Sequence, residues 1–154
     1  MCEIWENIDL TDLEGEIWRN IENYPNYQVS NLGRVKSLNH RRTGREKILV
    51  QSFNNGYLLV KLYDGNGGGK NHRVHRLVAK AFVHNDSPNE KIYIDHYDTN
   101  RSNNKANNLR WVTSIENMNN YLTKQHMSQA TKGLRTGEKH HHTKKCICNN
   151  IIFS

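Results

Sequence analysis

The sequence predicts an α+β fold in which a small antiparallel β module precedes a strand–loop–strand–helix unit. Three observations support this class. Residues 27–63 fall into short apolar or alternating runs separated by turn signals, which is typical of antiparallel strands. Residues 74–82 change to the helical period. Two further short apolar runs, at 92–94 and 109–112, then enclose a polar segment that has no period.

The first 16 residues carry six acidic side chains and no Lys or Arg, and we interpret residues 1–15 as an acidic leader. The segment Glu3-Ile-Trp-Glu-Asn-Ile8 nearly repeats as Glu16-Ile-Trp-Arg-Asn-Ile21, which indicates a local duplication. The remaining 138 residues hold 22 basic and nine acidic side chains. A field of that sign favours a polyanionic partner, although a basic surface that only keeps the chain soluble is the alternative.

Strands are predicted at residues 27–30, 34–38, 48–53 and 57–63. Asn31-Leu-Gly33 marks the turn between the first two strands, and Asn54-Asn-Gly56 predicts a tight hairpin between the last two. Residues 41–47 form a basic loop, and residues 64–69 form a flexible loop rich in glycine. We therefore place a β-rich module at residues 16–70.

An amphipathic helix and a second pair of strands follow this module. Val74, Leu77, Val78, Ala81 and Phe82 have the spacing of one apolar helical face. The strand at 92–94 ends at an Asp-His pair, and the chain returns as a strand at 109–112. Thr113-Ser-Ile-Glu116 has the form of a capping box, which predicts a helix from Ser114 to about Ala130.

Two sets of motifs resemble a known family. Val74-His-Arg-Leu-Val-Ala-Lys-Ala-Phe82, Ile94-Asp-His-Tyr-Asp-Thr-Asn100, Asn103-Asn104, Asn107-Asn-Leu-Arg-Trp-Val-Thr113 and Glu116-Asn117 resemble the HNH endonucleases of phages and homing introns, which share the ββα-metal fold. Upstream, Glu16-Ile-Trp-Arg-Asn-Ile21 and Tyr27-Gln-Val-Ser-Asn-Leu-Gly-Arg-Val-Lys-Ser-Leu38 resemble the small modular DNA-binding domain that often precedes such nucleases. The resemblance therefore implies a DNA-binding module at 16–70, an HNH nuclease domain at 71–130 and a basic tail at 131–154.

The resemblance also implies roles for four residues. Asp95 and Asn117 would bind a metal ion, His96 would be the general base, and Asn108 would hold that histidine in orientation. Oxygen ligands favour Mg²⁺ or Mn²⁺ over zinc, and a neutral imidazole is suited to activating a water molecule. Each residue alone also fits a structural role, as a turn residue or a surface amide, and the joint pattern favours the nuclease.

The implied substrate is double-stranded DNA. Basic residues of the predicted hairpin and helix are expected to contact its phosphates: Arg34, Lys36, Arg41, Arg42, Arg45, Lys47 and Arg76. A charge-protected edge strand is the alternative for the hairpin residues. For His75 we favour a structural role in the helix.

Two other functions stay open. One is a catalytically inactive DNA-binding protein that retains the HNH fold. The other is a zinc-stabilised interaction protein that uses His140-His-His142 with Cys146 and Cys148, although this spacing matches no familiar zinc pattern. The tail from Thr131 is expected to be disordered or truncated. The chain has no apparent signal peptide and no long apolar run, so a soluble cytoplasmic protein is expected.

Overall fold

The computed structural model describes residues 3–65 and 68–119. Within these two segments the chain forms three antiparallel sheets and two α-helices, so the predicted α+β class is confirmed. None of the helices in the described segments is long and apolar enough to cross a membrane. The basic tail, its histidines and cysteines, and the predicted helix beyond residue 119 lie outside the described residues.

The first sheet has the order β1-β2-β3-β4. Its strands are β1 (Trp18–Ile21), β2 (Tyr24–Ser30), β3 (Val35–Ser37) and β4 (Lys47–Ile48). Val29, Val35 and Ile48 are buried along it. The turn between β2 and β3 contains Gly33 at a φ of +92°, a conformation that glycine adopts without steric cost. The predicted Asn31–Gly33 turn is thus confirmed.

The predicted single strand at 48–53 is wrong, because the chain changes sheet within it. Ile48 pairs with Lys36 in the first sheet, whereas Ser52 pairs with Leu59 in the second. Between them the buried side chain of Gln51 donates a hydrogen bond from Nε2 to the carbonyl oxygen of Gly33, at 2.7 Å. This hydrogen bond fixes the crossover between the two sheets.

The second sheet contains β5 (Ser52–Asn54), β6 (Tyr57–Tyr63) and β7 (Gly69–Arg73), with β6 in the centre. The hairpin between β5 and β6 forms at Asn55 and Gly56, which both have positive φ as a tight hairpin turn requires. The polar strand β7 was not predicted. It includes residues 70 and 71, so the expected boundary between the module and the nuclease domain falls inside a strand.

Helix α1 (Val74–Phe82) follows β7 directly and supplies one side of the core. Val74, Leu77 and Val78 are buried, and the same cluster includes three buried side chains of β6: Leu58, Val60 and Leu62. Full burial of each Val or Leu side chain contributes roughly 1.5–3 kcal/mol. The apolar face predicted for this helix is confirmed.

The third sheet pairs β8 (Tyr93–His96) with β9 (Leu109–Val112), and helix α2 (Ser114–Asn119) follows. A loop from 97 to 108 joins the two strands and ends in a 3-10 turn at Ala106–Asn108. The predicted capping box is confirmed: Thr113 N–H donates to Glu116 Oε2 at 2.7 Å, and Glu116 N–H donates to Thr113 Oγ1 at 3.2 Å.

Arg34 ties the acidic leader to the first sheet. Its side chain is fully buried and forms an ion pair with Glu16, whose side chain is also fully buried. The guanidinium group also donates to the carbonyl oxygens of Asp9 at 2.7 Å and Thr11 at 3.0 Å. Five donors in a planar fork allow one arginine to satisfy all of these acceptors. Residues 9–16 are therefore packed onto the module by a buried cation.

Candidate active site

A pocket of about 360 Å³ opens between strand β8, helix α2 and the β5–β6 hairpin. Strand β8 contributes Asp95 and His96 at its C-terminal end, and helix α2 contributes Asn117. The pocket is completed by residues from the β5–β6 hairpin, from β8 and from the loop after β8, namely Tyr57, Ile94, Thr99 and Arg101. Three of the four residues predicted for catalysis or metal binding thus line one pocket.

Asp95 is oriented by the neighbouring strand. It lies opposite Arg110 in the β8–β9 register. Arg110 donates two hydrogen bonds to Asp95 Oδ2, from Nε at 2.9 Å and from Nη2 at 2.7 Å. The ring of Tyr97 lies 4.7 Å from the Arg110 guanidinium carbon, which restrains the arginine in turn. A carboxylate held in this way is presented to the pocket in one orientation.

His96 is the buried member of the site, with 5% of its surface exposed. Burial lowers the pKa of its imidazole, and the hydrogen bond with Asn104 and the nearby carboxylates of Asp98 and Asp95 oppose that shift without cancelling it. Its Nε2 lies 3.3 Å from Asn104 Oδ1. The ring is therefore neutral near pH 7, the form that accepts a proton.

A second buried imidazole packs against His96. The ring centroid of His75, on α1, lies 5.2 Å from that of His96, and that of Tyr57 lies 5.0 Å from His75. Burial is the main cause that lowers the pKa of His75 to about 3, with smaller contributions from His96, Arg73 and Arg76. Within residues 3–65 and 68–119, its Nδ1 has no hydrogen-bond partner. The prediction that His75 packs within the fold agrees with this position.

Asn108 makes no side-chain hydrogen bond to His96, so any part that it has in orienting that histidine is indirect. Its Nδ2 donates to Asp98 Oδ1 at 2.8 Å and to the carbonyl oxygen of Asn103 at 2.9 Å, while its Oδ1 accepts from Asp98 N–H at 3.2 Å. Both the amide nitrogen and the amide oxygen of Asn108 are hydrogen-bonded to the loop after β8. Asn108 therefore shapes the loop, and Asn104 is the amide that faces His96.

Asn117 reaches the pocket from the first turn and a half of α2. Its backbone N–H donates to the carbonyl oxygen of Thr113 at 3.0 Å, so it closes the first full α-helical turn. Its side chain is exposed. The capping box fixes the start of the helix that carries Asn117.

The expected DNA contact by Arg34 is wrong. The side chain has no exposed surface, and its donors are used by Glu16 and by backbone carbonyl groups. The alternation of basic and apolar residues at 34–38 predicted that Arg34 is exposed. The Glu16 carboxylate that buries it lies 18 residues upstream, outside that pattern. Lys36 is also largely covered: its side chain is 13% exposed, lies over the Trp18 ring at 4.7 Å and pairs with Glu46 at 3.5 Å.

The other basic residues of the expected interface are exposed. Arg41 and Arg42 stand in a 3-10 turn (His40–Arg42), and Arg45 and Lys47 follow in the same loop and in β4. Arg76 lies on the outer face of α1. There it lines a groove of about 750 Å³ together with other cations, namely Lys70, Arg73 and Lys80.

Four residues that line the pocket were not predicted as site residues, and two of them, Tyr57 and Arg101, contact each other. Two guanidinium groups lie over the Tyr57 ring. The guanidinium carbon of Arg73 is 4.7 Å from the ring centroid, and that of Arg101 is 5.0 Å from it. Arg101 also donates to the carbonyl oxygen of Asn55 at 3.4 Å and packs against Gly56. Cation–π contacts of this kind fix a cation while leaving its remaining donors available to a ligand. The only sequence signal was the position of Tyr57 directly after the Asn-Gly hairpin.

The donor set suits a hard cation better than zinc. Among the described residues there is no group of three or more His, Cys, Asp or Glu side chains that could hold a metal ion. The pocket instead offers one carboxylate and one amide oxygen, from Asp95 and Asn117. Mg²⁺ is typically bound by one or two protein oxygens and retains water and substrate oxygens as its other ligands.

Two family models match the described chain, one in each half. Residues 16–63 match the model of the NUMOD4 motif, and residues 72–119 match the model described as HNH endonuclease. The chain is 39% identical over 108 residues to the DNA endonuclease I-HmuI of Bacillus phage SP01, a match that covers 70% of this chain and 58% of that protein.

A second relative is an uncharacterized HNH endonuclease of Acanthamoeba polyphaga mimivirus, 37% identical over 133 residues. That match covers 82% of this chain and 32% of the relative, so the chain spans only part of the length of both proteins. A solved structure, of DNA binding and cleavage by the HNH homing endonuclease I-HmuI, is similar to this one with a TM-score of 0.60 at 36% identity. It covers 75% of this chain and 66% of that chain.

Proposed function

The chain belongs to the HNH endonuclease family, with a NUMOD4 motif ahead of the nuclease segment, and we propose that it is a metal-dependent DNA endonuclease of the homing type. The observation that carries this proposal is the convergence of Asp95, His96 and Asn117 on one pocket. The reaction is hydrolysis of a phosphodiester bond in double-stranded DNA.

His96 is the general base. Its imidazole is neutral at physiological pH because burial lowers its pKa, so a ring nitrogen can accept the proton of an attacking water molecule. General-base catalysis of this kind typically contributes about 10²–10⁴-fold in rate.

Asp95 and Asn117 hold the divalent cation, Mg²⁺ or Mn²⁺. Both supply hard oxygen ligands, and Arg110 keeps the Asp95 carboxylate in one orientation. The bound cation would neutralise phosphate charge and stabilise the leaving oxygen. Asn108 has an indirect role, since it shapes the loop that carries Asp98 and Asn104.

Arg101 binds the phosphate group that is cleaved. It lines the pocket beside Asp95 and His96, and the Tyr57 ring and the Asn55 carbonyl group restrain it. A guanidinium group can donate two parallel hydrogen bonds to phosphate oxygens. Arg73, over the same tyrosine ring, extends this positive surface toward Arg76 on α1.

The module positions the duplex through cations on its exposed loop and on α1. The residues assigned to this contact are Arg41, Arg42, Arg45, Lys47 and Arg76. Contacts to phosphate fix the register of a protein on DNA without reading its sequence. Arg34 is not among them, because it is buried.

The first test is nicking of supercoiled plasmid by the full chain with Mg²⁺, with Mn²⁺ and with EDTA. We expect nicking that requires the metal and that is lost in His96→Ala and in Asp95→Ala. His84→Ala is the matched control, because His84 is an exposed histidine outside the pocket. A genomic-library substrate accompanies the plasmid so that a missing target site does not produce a false negative.

Two outcomes would contradict the proposal. Metal-dependent nicking that persists undiminished in both His96→Ala and Asp95→Ala would show that cleavage does not come from this pocket. Salt-sensitive DNA binding without cleavage of either substrate would instead support the inactive DNA-binding protein that the sequence left open.

A further inference from the structure

Asn104 contacts the imidazole of His96 from inside the fold. Its Oδ1 lies 3.3 Å from His96 Nε2, and the two residues are 3% and 5% exposed. A carbonyl oxygen can only accept a hydrogen bond, so with the Asn104 amide oriented in this way Nε2 is the ring nitrogen that carries the hydrogen. In the neutral ring this leaves Nδ1 with the lone pair that takes a proton from water.

Asn104 makes this contact although its own amide nitrogen is unsatisfied. Nδ2 is buried and has no hydrogen-bond partner among the described residues. Buried polar groups are nearly always hydrogen-bonded, and an exception in a native fold calls for an explanation. A residue chosen only for packing or for loop formation would not need a buried amide at this position. An acceptor directed at His96 explains it.

A turn of the N-terminal module holds Asn104 in place. A Cβ atom built on Gly33 would lie 3.0 Å from Asn104 Cβ and 3.3 Å from its carbonyl oxygen. Two residues further along the loop, Ala106 N–H donates to the carbonyl oxygen of Asn31 at 2.8 Å. The same turn also accepts a hydrogen bond, from Gln51 Nε2 to the Gly33 carbonyl oxygen. The turn at 31–33 thus contacts the nuclease loop at Asn104 and just after it.

We propose that Asn104 is a positioning residue that selects the Nε2–H tautomer of His96, and that the module's turn at 31–33 sets its place. The inference rests on the proposed role of His96 as general base. It makes the DNA-binding module a structural part of the catalytic site, because the turn of one sheet supports the loop that orients the base.

The first experiment measures the tautomer directly. In ¹⁵N-histidine-labelled protein near pH 8, the shifts of the His96 ring nitrogens are assigned by comparison with His96→Gln. We expect hydrogen on Nε2 in the native protein and a larger Nδ1–H fraction in Asn104→Leu, which keeps the side-chain size and removes the acceptor. Hydrogen on Nδ1 in the native protein would overturn the proposal, and this measurement does not depend on cleavage.

The second experiment uses cleavage kinetics with Mg²⁺. We expect Asn104→Leu to lower kcat by about tenfold or more with little change in KM, and Asn104→Asp, which retains an acceptor oxygen, to recover most of the loss. Asn107→Leu is the control, since Asn107 is exposed in the same loop. An unchanged kcat in Asn104→Leu would overturn the assignment, whereas absence of cleavage by the native protein would refute the proposed function and leave the tautomer result standing.

The link to the module is tested with a glycine pair. Gly33→Ala and Gly65→Ala both place a side chain at positive φ, +92° and +88°, but a Cβ on Gly65 meets nothing within 4 Å. We expect kcat to fall in Gly33→Ala and to stay near the native value in Gly65→Ala. Equal effects would mean that backbone strain, and not displacement of Asn104, is responsible.

Discussion

Arg34 and Glu16 form an ion pair in which neither side chain has any exposed surface. Burial works to raise the pKa of the Glu16 carboxyl group, but hydrogen bonds from Arg34 and from the Leu13 backbone more than offset it, so the pKa is lowered overall. Both groups are therefore charged in the folded protein. The pair holds Glu16, the residue directly after the acidic leader, on the first sheet.

Glu16→Ala should destabilise the protein by about 3–5 kcal/mol, because it leaves the Arg34 charge buried and unpaired. The measurement is the free energy of unfolding in urea. The double variant Glu16→Leu with Arg34→Met should lose less than Glu16→Ala, since it removes both charges and retains apolar volume. A stable Glu16→Ala protein would show that the leader does not depend on this pair.

Salt dependence of DNA binding should identify the cations that contact phosphate. In a His96→Ala background, each of Arg41, Arg42, Arg45 and Lys47 changed to Gln should reduce the slope of log affinity against log salt by about 0.9. Lys36→Gln is the matched control, because this lysine is covered by Trp18 and pairs with Glu46. A slope that changes as much in Lys36→Gln as in the loop variants would contradict the assigned interface.

Sequence reasoning succeeded where the signal was local. The apolar periodicity of α1, the Asn-Gly hairpin before β6 and the capping box of α2 all appear in the structure at the expected positions. Each depends on residues within one or two turns of one another, so the sequence pattern contains the whole cause.

The failures came from causes that lie far apart in the sequence. Strand β7 is held by its backbone pairing with β6, and none of its side chains is buried. Its sequence therefore lacks the alternation of apolar and polar residues that would predict a strand. The burial of Arg34 depends on Glu16 and on the carbonyl groups of Asp9 and Thr11. The loop after β8 contains several asparagines, and the sequence does not indicate which of them faces the His96 ring. The contact with Asn104 therefore could not be predicted.

Stability should depend on pH through His75. The pKa of this buried imidazole is about 3 in the fold, lowered by burial and by the nearby groups His96, Arg73 and Arg76, against 6.5 for an ordinary histidine. Below pH 6.5 the unfolded chain therefore binds a proton that the folded protein excludes. The free energy of unfolding should fall as the pH falls from 7 toward 3, with a limiting slope of about 1.4 kcal/mol per pH unit.

The measurement is urea unfolding at pH 7, 6 and 5 for the native protein and for His75→Phe. The pKa values of His72 and His96 are also lowered by burial, so both proteins retain some pH dependence. The native slope should be the steeper one. Equal slopes in the two proteins would show that His75 is protonated in the fold.

Arg101→Ala should reduce kcat by about 10- to 100-fold, as expected for loss of a charge-assisted hydrogen bond to the phosphate. Stability should change by less than about 0.5 kcal/mol, because the side chain is exposed. Lys61→Ala is the control: Lys61 also lies over a tyrosine ring, 5.6 Å from the centroid of Tyr63, but does not line the pocket. If both variants cut DNA at the native rate, Arg101 has no part in phosphate binding.

Metal affinity should depend on the capping box of α2. Thr113 and Glu116 exchange backbone and side-chain hydrogen bonds around the helix start, and Asn117 is the next residue. Because the described part of α2 has no buried residues, the cap is a main determinant of its local stability. Loss of a capping side chain costs about 0.5–2 kcal/mol of helix stability.

Thr113→Ala should therefore raise the Mn²⁺ concentration needed for half-maximal nicking, because the Asn117 oxygen is presented less often. The maximal rate at saturating metal and the global unfolding free energy should change little. Thr113→Ser retains the hydroxyl acceptor and should behave as the native protein. A metal requirement that is the same in Thr113→Ala and Thr113→Ser would mean that Asn117 is not a metal ligand, or that packing against the β8–β9 sheet holds it without the cap.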